Sequence, residues 1–384
     1  MTADQSLVVA PAWVGDLVMA EALTARLADR GERVTMLVSR ALAPLAERMP
    51  SVAAVVPHDF LSGELGLGKR RALAARLRRE GAVASAAAPG TAPFTRAYVL
   101  PNSWKSALVP WLARIPERRG WLGEQRFGLL THRPRLDAER YPLMVERFVA
   151  LADATVAAQR ITPPTLVHDP ARAALLSAEL ELELELERGE AVVAFAPGAD
   201  YGPAKRWPVA HFAALAATLA AQGVAVWIFG GPADQPLGEQ IRAEALERLQ
   251  ASDGGSALGQ DAARRRVVSL CGRTRFDEAV DLLATVDALV CNDTGLLHVG
   301  AALGRPVVAI YGSSSPAFTP PLTAQATTLS RSLPCSPCFA RTCPLGHTRC
   351  LTELEPAAVL EALHTLLART AAVASSASPV GSGA

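Results

Sequence analysis

The feature that most constrains this chain is a recurrence. A short, mostly apolar run leads into a loop and then into a helix with an apolar stripe, and the unit repeats along most of the length. SLVVA at residues 6–10 is the first such run. A loop over 11–16 follows, then a helix expected over 17–30, with Leu17, Met19, Ala20, Leu23 and Leu27 at helical spacing and Gly31 as its stop. Further strands are expected at 33–39 (RVTMLVS), 97–100 (AYVL), 191–196 (AVVAFA), 224–229 (VAVWIF), 266–270, 288–291 and 306–311 (PVVAIY). Runs of this kind are too uniformly apolar to face water on one side. They require a parallel sheet with crossover helices on both faces.

The chain has 384 residues, which suits two such domains better than one. The stretch TPPTLVHDPA (162–171) reads as a linker, which places the domains at 1–167 and 168–370. Residues 371–384 (AAVASSASPVGSGA) are of low complexity and are expected to be a disordered tail. The alternation ELELELE inside 173–190 conflicts with its helix-forming composition, and helix is preferred there. Residues 251–263 read as a polar surface insertion. Helices are expected over 209–222 and 355–370. Another is expected to be capped by Thr274, with Asp277 as its capping-box partner.

Net charge is +1, which disfavours a nucleic-acid coat, but the total hides an asymmetry. Residues 1–170 carry 22 Lys+Arg against 16 Asp+Glu, whereas residues 171–384 carry 16 against 21. The front half is therefore the better candidate to meet an anionic partner. Its basic stretch KRRALAARLRRE (69–80) is either a solvated helix face or a contact for anionic lipid or sugar acid. No apolar run is long enough to span a bilayer, and the N-terminus lacks a basic signal region. A cytoplasmic location is the expectation.

Three loops carry the chemistry. In PGADYGPAKRWP (197–208), Gly198 and Ala199 let backbone amides approach a ligand. Lys205 and Arg206 supply positive charge just before a helix, which suits a phosphate or diphosphate. In NDTGLLH (292–298), Asp293 or Thr294 can cap a helix, Gly295 leaves room at its free amides, and His298 lies one turn on. Two anion-receptive helix starts in one half point to a nucleotide diphosphate. No GxxxxGK[ST] is present, and no GxGxxG follows a strand, which disfavours P-loop NTPases and NAD dehydrogenases. In PAWVGD (11–16), Asp16 is either a general base or a helix N-cap. Of six cysteines, Cys271 and Cys291 sit in apolar runs and read as buried. Cys335, Cys338, Cys343 and Cys350, with His347 among them, could be a structural metal cluster, a redox pair or reduced thiols; no catalytic metal is expected.

Together with VLPNSWKSALVPWLARIPERRGWLGEQRFGLL (99–130), APAWVGDLVMA, CNDTGLLHVGAALGRPVVAIYGSSSP and PCSPC…CPLGHTRC, these loops are similar to the bacterial lipopolysaccharide heptosyltransferases, most closely those of type II. The resemblance implies a GT-B architecture of two Rossmann-like domains facing a cleft. It implies inverting transfer of L-glycero-D-manno-heptose from ADP-heptose to the heptosyl-Kdo2-lipid A inner core, with no cofactor required. It matches the catalytic base to Asp16 and the donor-phosphate site to Lys205, Asp293, Thr294, Gly295 and His298. Asp234 matches a ribose contact and Thr274 an adenine-edging position. Lys105, Arg118 and Arg119 become candidates to touch acid groups of the acceptor, an anionic glycolipid at the inner face of the membrane. Alternatives are a heptosyltransferase acting earlier or later on the same core, a nucleotide-sugar 2-epimerase, and a non-catalytic nucleotide- or glycolipid-binding protein.

Overall fold

In the computed structural model, residues 4–61, 63–80, 94–155, 161–180, 182, 191–252 and 265–377 are described. They form two compact units. The first is Met1–Val167 with Ala317–Thr319, and the second is His168–Pro316 with Pro320–Ala384.

The first unit holds a five-stranded parallel sheet in the order β3-β2-β1-β4-β5. The strands are β1 (Gln5–Val9), β2 (Arg33–Ser39), β3 (Ala54–His58), β4 (Arg96–Val99) and β5 (Glu117–Arg119). Its helices are α1 (Val14–Asp29), α2 (Ala43–Ala46), α3 (Leu67–Glu80), α4 (Leu108–Leu112) and α5 (Met144–Val149). Leu7, Val9, Leu37, Val56, Ala97 and Val99 share one buried cluster with Ala74 and Leu77 of α3 and Val109 of α4. Their neighbours in the alternation, among them Val8, Met36 and Tyr98, are equally buried, so both faces are covered. The basic stretch is indeed helical, but it is not uniformly solvated. Arg70 is buried, its guanidinium 4.0 Å from the Phe60 ring centre and bonded to the carbonyls of Leu65 and Lys105. Lys69, Arg71, Arg78 and Arg79 stay exposed.

The second unit holds a six-stranded parallel sheet in the order β11-β10-β9-β6-β7-β8. Its strands are β6 (Val192–Ala196), β7 (Ala225–Ile228), β8 (Val267–Ser269), β9 (Ala288–Asn292), β10 (Val307–Tyr311) and β11 (Ala326–Ser330). Its helices are α6 (Pro170–Glu179), α7 (Val209–Ala221), α8 (Gln235–Ser252), α9 (Phe276–Leu283), α10 (Gly295–Ala302), α11 (Arg349–Thr352) and α12 (Pro356–Ala377). Val193, Phe195, Ile228, Val290 and Ile310 pack with Phe212 and Leu215 of α7, Ile241 of α8 and Leu363 of α12. The opposite face meets α10, where Gly300 presses so closely on Leu289 and Val307 that a Cβ would lie 2.6 Å from a Leu289 methyl carbon.

Several local expectations are corrected. Asp16 does not cap α1: the N-cap is Trp13, so the helix starts three residues earlier than read and Asp16 lies in its first turn. There the helix dipole favours its negative charge. Thr274 does not cap α9 either. Arg275 is the N-cap, and its amide donates to Glu278 Oε2 at 2.8 Å, one residue later than the pairing with Asp277. Of the tail read as disordered, residues 371–377 continue the last helix to Ala377, with alanines as strong helix formers added to a helix already docked on the core, and 378–384 lie outside the described residues. Most of the ELELELE repeat and most of the 251–263 insertion lie outside the described residues.

Candidate active site

In an open parallel sheet, ligands collect beyond the carboxyl ends of the strands, where the strand order reverses. In the second unit that point falls between β6 and β9, since β6 pairs with both β7 and β9. The loops leaving these two strands are residues 197–208 and 293–294. Lys205 Nζ stands 2.6 Å from Asp293 Oδ2 and joins them. Asp293 is therefore committed to Lys205 rather than to capping α10. Thr294 occupies the N-cap position with extended backbone, and its side chain makes no capping bond. The first amides of α10 are left without a side-chain cap beside an ammonium group, an arrangement chemically able to receive an anion.

The loop after β6 is pinned by a residue to which the sequence reading assigned no role. Asn292, the fully buried last residue of β9, accepts from the Trp207 amide at 3.0 Å and donates to the Pro197 carbonyl at 2.6 Å. One side chain thus holds both ends of the 197–207 loop. A polar residue closing an otherwise apolar strand was the available signal. Trp207 is buried and donates its indole N–H to the Leu354 carbonyl.

Asp234 follows β7. Its carboxylate accepts from the Gly231 amide and rests against Gly198, where a Cβ would lie 2.6 Å from Oδ2. Glycine at 198 is thus a requirement of close approach. Burial pushes the Asp234 carboxyl up. The Gly231 bond opposes this, nearby Asp200 adds to it, and Arg206 opposes it. Ala199 is buried beside Gly198, and Arg206 is exposed. A carboxylate here is placed to accept from hydroxyls of a ligand lying along the loop. His298 is 5% exposed, and burial, with Lys205 adding to it and Asp293 opposing, brings its pKa down to about 4. At neutral pH it is an uncharged hydrogen-bonding group. Thr274 is half-buried in the bend after β8.

In the first unit the reversal lies between β1 and β4. Asp16 is half-buried in the first turn of α1, the helix that follows β1. The loop leaving β4 is braced by Arg126, a fully buried arginine that donates to the carbonyls of Pro101 and Trp121 and to Asn102 Oδ1. The three expected acceptor cations are less available than their charge suggests. Arg118 Nε donates to the Leu129 carbonyl at 2.6 Å, and its Nη1 to the Ile115 carbonyl. Arg119 pairs with Glu117 at 2.5 Å and bonds the Leu151 carbonyl. Lys105 Nζ donates to the Gly63 carbonyl. Arg118 and Arg119 act as internal braces, their guanidinium groups spent on loop carbonyls and on Glu117.

All six cysteines are free thiols. Cys271 and Cys291 are buried, as expected. Cys335, Cys338, Cys343 and Cys350 line one cavity with His347. Backbone amides of residues 345–348, that of Thr348 foremost, hold the Cys343 thiol below its ordinary pKa. Among the described residues no three of His, Cys, Asp and Glu converge as a metal-ligand set, so the metal reading of this cluster gains no geometric support.

Residues 90–349 match the model of glycosyltransferase family 9 (heptosyltransferase). The chain is 37% identical over 370 residues to lipopolysaccharide heptosyltransferase 2 of Salmonella typhimurium, covering 94% of this chain and 98% of that one. It is 38% identical over 366 residues to the Escherichia coli K12 enzyme of the same name, again covering 94% and 98%. The solved E. coli ADP-heptose lps heptosyltransferase II superposes with a TM-score of 0.78 at 36% identity, covering 96% of this chain and 99% of that one. A doubly wound unit with a lysine–aspartate pair and an uncapped helix start at its strand crossing, and a second doubly wound unit with a carboxylate at its own, are thus found in a chain that belongs to glycosyltransferase family 9, the heptosyltransferases.

Proposed function

We propose that this glycosyltransferase moves L-glycero-D-manno-heptose from ADP-heptose to the heptosyl-Kdo2-lipid A inner core, the type II reaction. The observation that carries the donor half is the Lys205–Asp293 pair spanning the strand crossing beside the uncapped start of α10. As the glycosidic bond to ADP breaks, negative charge grows on the diphosphate. Lys205 and the α10 amides are placed to stabilise it. Asp234 would hold ribose hydroxyls. In this reading Asp16 takes the proton from the acceptor hydroxyl as that oxygen attacks the anomeric carbon, and configuration inverts. It stands in the first turn of α1, where a helix start favours a negative charge.

The acceptor is a glycolipid rich in acidic groups, so the enzyme works at the inner face of the cytoplasmic membrane. The first unit supports this. Exposed Leu61, Leu65, Leu67, Trp104 and Trp111 accompany the exposed cations Lys69, Arg71, Arg78 and Arg79 of α3. Aromatic and basic groups together suit a lipid headgroup layer. Among the described residues no helix is long and apolar enough to cross a membrane.

The test is a transfer assay with ADP-heptose and purified acceptors bearing no heptose or one. Product only with the singly heptosylated acceptor is expected. Transfer to the acceptor without heptose would reassign the chain to the first addition, and no transfer to either would defeat the reading.

A further inference from the structure

The cysteine-bearing segment after β11 does not stand apart from the donor pocket. The Tyr201 hydroxyl donates to the Phe339 carbonyl at 2.6 Å, and the Phe339 amide donates to the Ser313 carbonyl at 2.6 Å. Ser336 Oγ donates to the Gly312 carbonyl at 2.7 Å, and the Ala204 amide to the Arg341 carbonyl at 3.1 Å. Any side chain at Gly202 would run into that same Arg341 carbonyl. The segment is therefore laced to the loop after β6 on one side and to the turn after β10 on the other.

Where it meets the first loop, one aromatic ring carries two cations. Lys205 Nζ and the Arg341 guanidinium carbon each lie 5.0 Å from the Tyr201 ring centre. The charges around them are unequal. Lys205 is already paired with Asp293, and Arg206 lies in the field of Asp234. Arg341 is exposed and, among the described residues, makes no salt bridge. With the lysine charge already met by Asp293, a further cation would strengthen the hold on a diphosphate. Arginine's planar fork meets two phosphate oxygens at once. Stacking on Tyr201 restricts the guanidinium before any ligand arrives.

We propose that Arg341 is a phosphate-binding residue of the donor pocket, with Tyr201 as the residue that positions it beside Lys205. The cysteine-bearing loop then forms a third wall of that pocket. This rests on the reading of the second unit as an ADP-sugar site.

The test compares ADP with adenosine by calorimetry on the full chain, in Arg341→Met, Arg341→Lys, Tyr201→Leu and Lys205→Ala variants. Arg341→Met is expected to weaken ADP about 10-fold and leave adenosine unchanged, with Arg341→Lys recovering part of the loss. Tyr201→Leu is expected to move in the same direction by a smaller factor. ADP affinity untouched by Arg341→Met but reduced by Lys205→Ala would overturn this inference alone. An equal loss for ADP and adenosine would show a structural role and overturn it too. Failure of the unsubstituted chain to bind ADP would sink the functional reading and the inference together.

Discussion

The two units solve the same folding problem and then diverge at the same place. Each is a parallel sheet buried on both faces, and each puts its candidate chemistry in the loops where strand order reverses. At that crossing the second unit is densely prebuilt. Lys205 and Asp293 span it, and Asn292 ties down both ends of the adjoining loop. The first unit offers the carboxylate of Asp16, on a helix start preceded by a half-exposed Trp13, with Arg126 bracing the loop across from it. A diphosphate brings concentrated charge, and a fixed polar cradle stabilises it best. A sugar hydroxyl needs only one well-placed acceptor for its proton. The scaffold is indifferent to this choice, and the loop side chains make it.

Breaking the first unit's contribution should give the largest effect. Asp16→Asn is expected to lower kcat by about 10²–10⁴ while leaving ADP affinity intact. Single-turnover kinetics beside calorimetry would separate the two, and near-normal turnover would remove Asp16 from the role of base. The second unit's bracing should show in stability. Asn292→Ala leaves the Trp207 amide and the Pro197 carbonyl without their partner, at a cost of about 2–4 kcal/mol in urea unfolding. ADP binding should weaken as the loop loosens, and an unchanged midpoint would show that the clamp is dispensable.

A third measurement concerns His298. Its folded pKa of about 4 lies below that of an unfolded histidine. Between these values the unfolded chain binds the extra proton, so stability falls as pH drops from about 6.5 to about 4, by on the order of 3 kcal/mol at most. His298→Gln should flatten that slope, and a slope identical to the unsubstituted chain's would remove His298 as its source. The smallest expected effect lies on the basic helix of the first unit. Arg78→Gln should weaken binding to vesicles containing anionic phospholipid by about 1 kcal/mol and leave ADP binding alone. Vesicle binding indifferent to both the substitution and 0.5 M salt would end the electrostatic account.

Particular elements show where sequence reading succeeds and where it stops. Strands β6 and β10 are legible because their runs are apolar at nearly every position, and β2 because Val34, Met36, Leu37 and Val38 make an apolar centre. Strands β3, β5 and β11 escaped it, and each lies at an edge of its sheet; of the four edge strands only β8 was read. Edge strands need fewer apolar residues and tolerate breakers, as Pro57 in β3 shows. The loop residues at 205 and 293–298 could be picked out as anion-receptive, but their division of labour could not. Whether Asp293 caps a helix or pairs with Lys205 depends on a partner 88 residues away in the chain. Arg118 and Arg119 show the same limit from the other side, since their charge is evident in the sequence and their internal partners are not.

By itself the sequence determined the class of fold, the alternation of elements and the loops that carry polar function, because burial periodicity and glycine placement are local properties. Only the tertiary structure decided which charges are spent on one another and which remain for a ligand. It showed Asn292 as a clamp, Arg118 and Arg119 as braces, and Arg341 on the ring it shares with Lys205. Pairing between charged groups falls off steeply with distance, and distance between residues far apart in the chain exists only once it has folded.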